Sequence, residues 1–137
     1  MINNGSAVIF NAETSVLGNG TAGGMLEYVG FSAGSSETMG VLTVTAGNAT
    51  VKITPTGGIN ALTFGSLTAP ALGSSLNFDI PAAPGTNSVT ITKGTAIGLV
   101  NAHAYYNGAD FAYSPATTNS TLRAPVYGTD TNFVTSA

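Results

Sequence analysis

The chain has 137 residues, enough for one domain that buries a core without metal or disulfide support. Only 7% of them are charged, against about 25% in an ordinary soluble domain, while 43% are hydrophobic and mean hydropathy is +0.28, which excludes the charge-rich composition of disordered chains. Net charge is −3, and the three cations Lys52, Lys93 and Arg123 are scattered singly, so no basic stripe exists to neutralise phosphates and nucleic acid is excluded as a partner. The absence of cysteine removes disulfides, thiolate nucleophiles and Cys-based zinc sites together. No apolar run approaches the roughly 18 residues that cross a bilayer, and Met1 to Gly5 lacks the charged start and apolar stretch of a signal peptide. The expectation is a soluble segment, mature or cut from something longer, that does not insert into a membrane.

In chain order, short runs with apolar residues two apart recur at Val8-Ile9-Phe10, Leu26-Glu27-Tyr28, Leu42-Thr43-Val44, Val51-Lys52-Ile53, Leu62-Thr63-Phe64, Leu76-Asn77-Phe78 and Val89-Thr90-Ile91. Period two predicts strands with one buried face each. Gly and Pro clusters at 18–24, 46–48, 55–58, 72–75 and 81–87 carry turn chemistry between them. Helix signals are nearly absent: Ser36-Glu37-Thr38-Met39 is expected to make at most a turn, and glycines punctuate every longer window. From Tyr105 onward the strand phrase weakens. Tyr105, Tyr106, Phe111, Tyr113, Tyr127 and Phe133 gather there around a loop at Ser114 to Asn119, and they are read as packing residues rather than a sugar platform.

Two or three such strands make a coil of about 20 to 30 residues, within the range of solenoid repeats. The predicted fold is all-β, a right-handed parallel β-helix. Coils stack about 4.8 Å apart, with Leu, Val, Ile and Phe inward and Thr, Ser and Asn in outward ladders. The same geometry accounts for the missing charge, since like charges stacked in register repel whereas Thr, Ser and Asn bond along the stack. The alternative is an antiparallel β-sandwich. The chain is read as a single unit: 1–22 the end of a preceding coil or a linker, 23–96 the core coils, and 97–137 an aromatic-rich strand and loop segment.

Gly23-Gly24-Met25-Leu26-Glu27-Tyr28-Val29-Gly30, Ser36 to Val44, Leu62-Thr63-Phe64 and Leu76-Asn77-Phe78 together resemble the autotransporter-associated β-strand repeat. Ile97 to Tyr113 resembles the segment that follows such repeats in very large bacterial surface proteins, and the likeness extends over roughly Gly23 to Tyr127. The resemblance implies a β-helical stalk or passenger, exported to the bacterial cell surface and repeated within one polypeptide, with no shared catalytic residues. The chain carries neither the signal peptide nor the membrane-anchoring barrel of a complete member, which leaves the export route open.

A search for chemistry finds little. His103, Asp110 and Ser114 lack a nucleophile elbow, so no catalytic triad is assigned. The carboxylates Glu13, Glu27, Glu37, Asp79, Asp110 and Asp130 are dispersed, although a solenoid could bring two together across coils, which keeps a polysaccharide-acting enzyme as a lesser alternative. No calcium-binding nonapeptide or EF-hand loop occurs, and no catalytic, cofactor or metal residue is assigned. Asn4, Asn19, Asn48 and Asn119 begin Asn-x-Ser/Thr triplets that could accept glycans. The expected function is a non-catalytic structural repeat of an extracellular surface stalk, fibre or sheath, with an adhesin-like module for glycan or cell binding as the alternative. The apolar, uncharged segments near 5–12 and 130–137 lead to the expectation of end-to-end contacts with neighbouring copies.

Overall fold

The structure, a computed structural model, describes residues 4–11, 23–81 and 87–133. Among these the chain is all-β, with no helix and no closed barrel, and its sheets mix parallel and antiparallel pairs. The seven long strands are β1 (Val8–Asn11), β2 (Gly23–Val29), β3 (Ser35–Ala46), β4 (Asn48–Thr54), β5 (Asn60–Leu67), β6 (Ser75–Asp79) and β7 (Asn87–Lys93). Each contains one of the seven alternating runs read from the sequence. Five short strands follow: β8 (Gly98–Leu99), β9 (Ala104–Tyr106), β10 (Asp110–Phe111), β11 (Tyr113–Ser114) and β12 (Ser120–Thr121).

Strands consecutive along the chain from β1 to β7 do not pair with each other. One sheet runs β1-β3-β5-β7-β12 and a second runs β10-β9-β6-β4-β2, with a small β11-β8 pair beside them. The ladders between β1, β3, β5 and β7, and between β2, β4, β6 and β9, are parallel. The antiparallel pairs β12-β7, β10-β9 and β11-β8 all involve the short C-terminal strands. Both large sheets feed one core: Leu42, Val44, Leu62, Phe64, Val89 and Ile91 from the first meet Val51, Ile53, Leu76 and Phe78 from the second, all at most 1% exposed. Two sheets facing across a shared core are compatible with a coiled or a sandwich-like arrangement.

The alternation places Leu62 on Val89 and Phe64 on Ile91, inward on inward, and Thr38, Thr63, Thr90 and Thr121 in one outward column. Leu42, by contrast, stacks on Val8 and Leu67 rather than on Leu62. The reason is a change of face within β3. Inward positions run Ser35, Glu37, Met39 and then Leu42, Val44, so the parity switches across Gly40 and Val41; β5 switches in register across Gly65 and Ser66. Gly40 is needed there, because a Cβ would collide with the carbonyl of Gly5.

Two local expectations are corrected. Ser36-Glu37-Thr38-Met39 is not a turn but the first half of β3, held by pairing with Ala61 to Phe64. Gly23 and Gly24 are not turn residues but open β2, paired with Asn48 and Ala49; the rest of the 18–24 cluster lies outside the described residues, as does most of 81–87.

A polar column runs across the starts of β3, β5 and β7. Ser35, Asn60 and Asn87 are in register. The Ser35 hydroxyl donates to Asn60 Oδ1 at 3.0 Å, and Asn60 Nδ2 donates to Gly57 O at 3.1 Å and to Asn87 Oδ1 at 3.0 Å. Asn87 Nδ2 in turn donates to Pro81 O. Asn60 is completely buried, so each of these bonds replaces one to water.

Replacing Asn60 by Ala leaves Asn87, Ser35 and Gly57 O short of partners and is expected to cost about 1 to 3 kcal/mol or more, whereas Leu62→Ala or Phe78→Ala should cost about 2 to 5 kcal/mol as core truncations. Thr63→Ala, on the outward face, should cost well under about 1 kcal/mol. Urea denaturation of the four variants measures these; a Thr63 effect larger than that of Leu62 would mean the faces are reversed.

Candidate interaction sites at the two ends of the stack

The two ends of the sheets differ. At the C-terminal end the outer edge of β7 is covered by β12 and that of β9 by β10, so the last parallel strand of each sheet already has a partner. Below them Tyr113 and Leu122, each 2% exposed, complete the core with Ala112. Arg123 fastens this closure. Its guanidinium donates to Asp130 Oδ2 at 2.6 Å and Oδ1 at 2.7 Å, a two-pronged ion pair, and lies 4.6 Å from the Tyr113 ring centroid. The Val126 N–H also donates to Asp130. These donors, Arg123 first, hold the Asp130 carboxyl below the usual aspartate range, and the same pair holds Arg123 higher still.

The aromatic residues divide. Tyr113 is buried, and Phe133 meets both Tyr113 and Tyr127 edge-on. Tyr106 is half-buried, and that burial raises its phenol. Tyr105 and Phe111 are cross-strand partners with stacked rings 5.7 Å apart, Phe111 being 36% exposed. Tyr127 is 59% exposed; its hydroxyl donates to Asp110 at 2.6 Å, which raises its phenol as well. Packing thus accounts for Tyr113 and Phe133, while Phe111 and Tyr127 face solvent.

The candidate triad residues have other engagements. The Ser114 hydroxyl is buried against Ser120 Oγ and the Ala116 carbonyl, Asp110 Oδ1 accepts from Tyr127 and from the Phe111 N–H, and among the described residues no hydrogen bond links either to His103. The buried hydroxyl is positioned to close a turn. Among the described residues no group of three or more His, Asp or Glu side chains could hold a metal ion.

At the N-terminal end the inward residues are covered less. Val8 and Phe10 of β1 and Leu26 and Tyr28 of β2 are only partly buried against the core. Between β2 and β3 opens a slot of about 160 Å³ lined by Leu26, Glu27, Tyr28, Glu37, Met39 and Leu62. Glu37, inward on β3, faces this slot, whereas the Glu27 side chain lies on the outward face of β2; the meeting of Leu26, Tyr28, Glu37 and Met39 is not signalled by the sequence, because it depends on the pairing of β2 with β4 and of β3 with β5. Glu27 is held by Lys52 Nζ at 3.8 Å and by the Thr54 hydroxyl. Glu37 Oε1, closed off from solvent, has no hydrogen-bond partner among the described residues. Glu13 and Asn19 lie outside the described residues. Compared with protein-family models, curated proteins and solved structures, the chain matches none.

The Asp130 shift gives a pH test. A carboxyl held low in the folded state contributes stability that is present above its unfolded value, about 3.9, and is lost as pH falls through the folded value. Thermal unfolding of the intact chain should therefore shift to lower temperature between pH 5 and pH 2, and Asp130→Asn should lose less over that interval while starting less stable; parallel pH profiles for the two proteins would count against the ion pair as a fastening.

Proposed function

We propose that the chain is a β-solenoid segment, a right-handed parallel β-helix closed by an antiparallel cap, and that it serves as a non-catalytic structural repeat of an extracellular bacterial surface stalk, fibre or sheath. The observation that carries this reading is the parallel pairing of alternate strands in both sheets, with partners such as Ser35 and Asn60, or Asn60 and Asn87, 25 and 27 residues apart. Two long strands and their turns fill that interval, so each coil adds one rung to both sheets. A rung adds about 4.8 Å of length, and extension in proportion to chain length is what a stalk requires.

The outward columns support the same reading. The Thr38-Thr63-Thr90-Thr121 column is uncharged, and hydroxyl contacts join Thr90 to Thr121 at 3.2 Å and Thr43 to Thr68 at 3.3 Å. The resemblance to the autotransporter-associated repeat points to the same architecture and to the cell surface. Neighbouring copies or repeats would meet end to end near 5–12 and 130–137, of which 12 and 134–137 lie outside the described residues; the core-facing side chains are least covered at the N-terminal end. The sandwich-like alternative draws on the antiparallel pairs, which involve the C-terminal strands.

The second reading, an adhesin-like glycan-binding module, is favoured by the exposure of Phe111 and Tyr127 beside the Asp110 carboxylate. The structural reading is tested on intact cells that make the protein. An antibody raised against the chain should label intact, unpermeabilised cells; labelling that appears only after the cells are opened would contradict a surface role.

A further inference from the structure

Three Asn-Gly dipeptides occur in the chain, at Asn4, Asn19 and Asn107, and Asn19 lies outside the described residues. Asn-Gly is the dipeptide most prone to deamidation, because glycine has no side chain to keep its amide nitrogen from the asparagine Cγ. At Asn107-Gly108 the pair makes the turn between β9 and β10: both residues have positive φ, 53° and 63°, and the Ala109 N–H donates to Tyr106 O at 3.3 Å. A turn of this hand favours Asn followed by Gly. Both residues are exposed, so water and hydroxide reach them.

Every group that the reaction needs is nevertheless engaged. Asn107 Oδ1 accepts from the Ile80 N–H at 2.6 Å, and Nδ2 donates to the Ile80 carbonyl at 3.1 Å. The attacking group, the Gly108 N–H, donates to Asn77 Oδ1 at 2.8 Å. With the Asn107 N–H on Phe78 O at 2.8 Å, these bonds pin the turn to the end of β6. An aspartate in this position would tolerate the left-handed backbone as asparagine does. Its carboxylate, however, has no hydrogen to give the Ile80 carbonyl and would set a negative charge against that oxygen. Asparagine is therefore required for the latch, and it brings the lability with it.

We propose that Asn107-Gly108 is a self-modifying site: docked on β6 the turn is held unreactive, and once deamidated it releases the β9–β10 hairpin from β6. In the reaction the Gly108 nitrogen, its proton lost to hydroxide, bonds to Asn107 Cγ; the Cγ–Nδ2 bond breaks, and Nδ2 takes a proton from water and leaves as ammonia. Water then opens the cyclic imide at either carbonyl, giving aspartate or isoaspartate. Water is the only co-reactant, and nothing is oxidised or reduced. The aspartate product loses the bond to Ile80 O. The isoaspartate product also adds a carbon to the backbone of the loop that joins the paired residues Tyr106 and Asp110. Both products fail the latch, and neither reverts to asparagine. The inference does not depend on the stalk reading.

The experiment uses the full chain with Asn4→Gln and Asn19→Gln, which leaves 107–108 as the sole Asn-Gly, incubated folded in mildly alkaline buffer. Trypsin then yields the peptide 94–123, in which mass spectrometry follows the exchange of amide for carboxyl. Residue 107 should convert at least about tenfold more slowly in the folded chain than in the isolated 94–123 peptide, because reaction waits on local opening. Asn77→Ala, which removes the acceptor of the Gly108 N–H, should raise the folded-chain rate at least about threefold at a temperature well below melting. The deamidated chain, separated from its parent on an anion-exchange column by its added negative charge, should show faster hydrogen exchange over 76–80 and 104–106 and unchanged protection in β3 and β5. Equal conversion in folded chain and peptide, an unaltered rate in Asn77→Ala, or exchange in the deamidated chain that matches the parent's would each overturn the inference. Loss of protection throughout the deamidated chain would overturn it too, since the release is confined to the hairpin.

Discussion

Stacking in register is the constraint from which the other features of this molecule follow, and Asn60 is where it is most sharply fixed. A fully buried amide must find partners, and here they come from the residues above and below it, Ser35 and Asn87, and from the turn that precedes it. A slip of one residue would expose Leu62 and Phe64, bury Thr63, and leave the amide stranded. The same column restrains a neighbouring turn: a Cβ at Gly30 would overlap the Asn60 side chain, so glycine is required where the chain passes from β2 toward β3. Asn107 applies similar chemistry in the second sheet. In a left-handed backbone conformation, it accepts from the Ile80 N–H and donates to the Ile80 carbonyl, so one side chain does for β6 what a further strand residue would do.

Register also explains the scarcity and the placement of charge. A residue in such a ladder has near-copies of itself as its nearest neighbours, and threonine tolerates that arrangement better than lysine or glutamate. Where charged residues do adjoin in register, their signs alternate: Glu27, Lys52 and Asp79 are consecutive partners in the second sheet. The other ion pair, Arg123 with Asp130, lies outside the parallel ladders and closes their C-terminal end. Charge in this molecule is thus either matched in sign along a ladder, as in Glu27, Lys52 and Asp79, or placed outside the parallel ladders, as in Arg123 with Asp130.

How much of this was legible in the sequence varied with how local the signal was. Each of the seven long strands was visible, because its inward residues are apolar and two apart, as in Leu62-Thr63-Phe64. The first half of β3 was hidden. Its inward residues are Ser35, Glu37 and Met39, of which only the last is apolar, and the parity change at Gly40 separates it from Leu42-Thr43-Val44. The slot that Glu37 lines with Leu26 and Tyr28 was illegible for another reason, since it is made by pairing between strands and no local pattern encodes which strand lies beside which. The aromatic segment was half legible. Burial of Tyr113 follows from its apolar ring, but the exposure of Phe111 depends on β10 folding back on β9 at the edge of the sheet.

Parallel, in-register pairing between strands that are not consecutive in the chain underlies every feature above, and a chain without cysteine allows that pairing to be tested by introducing two. Thr63 and Thr90 are direct outward partners on β5 and β7, and adjacent strands lie close enough for a disulfide between facing positions. Under mild oxidation the Thr63→Cys/Thr90→Cys chain should form an intramolecular disulfide, detected by mass spectrometry after proteolysis, with its far-ultraviolet circular dichroism unchanged. Two cysteines that stay reduced in the folded chain, or that join only after denaturant is added, would contradict the stacked register.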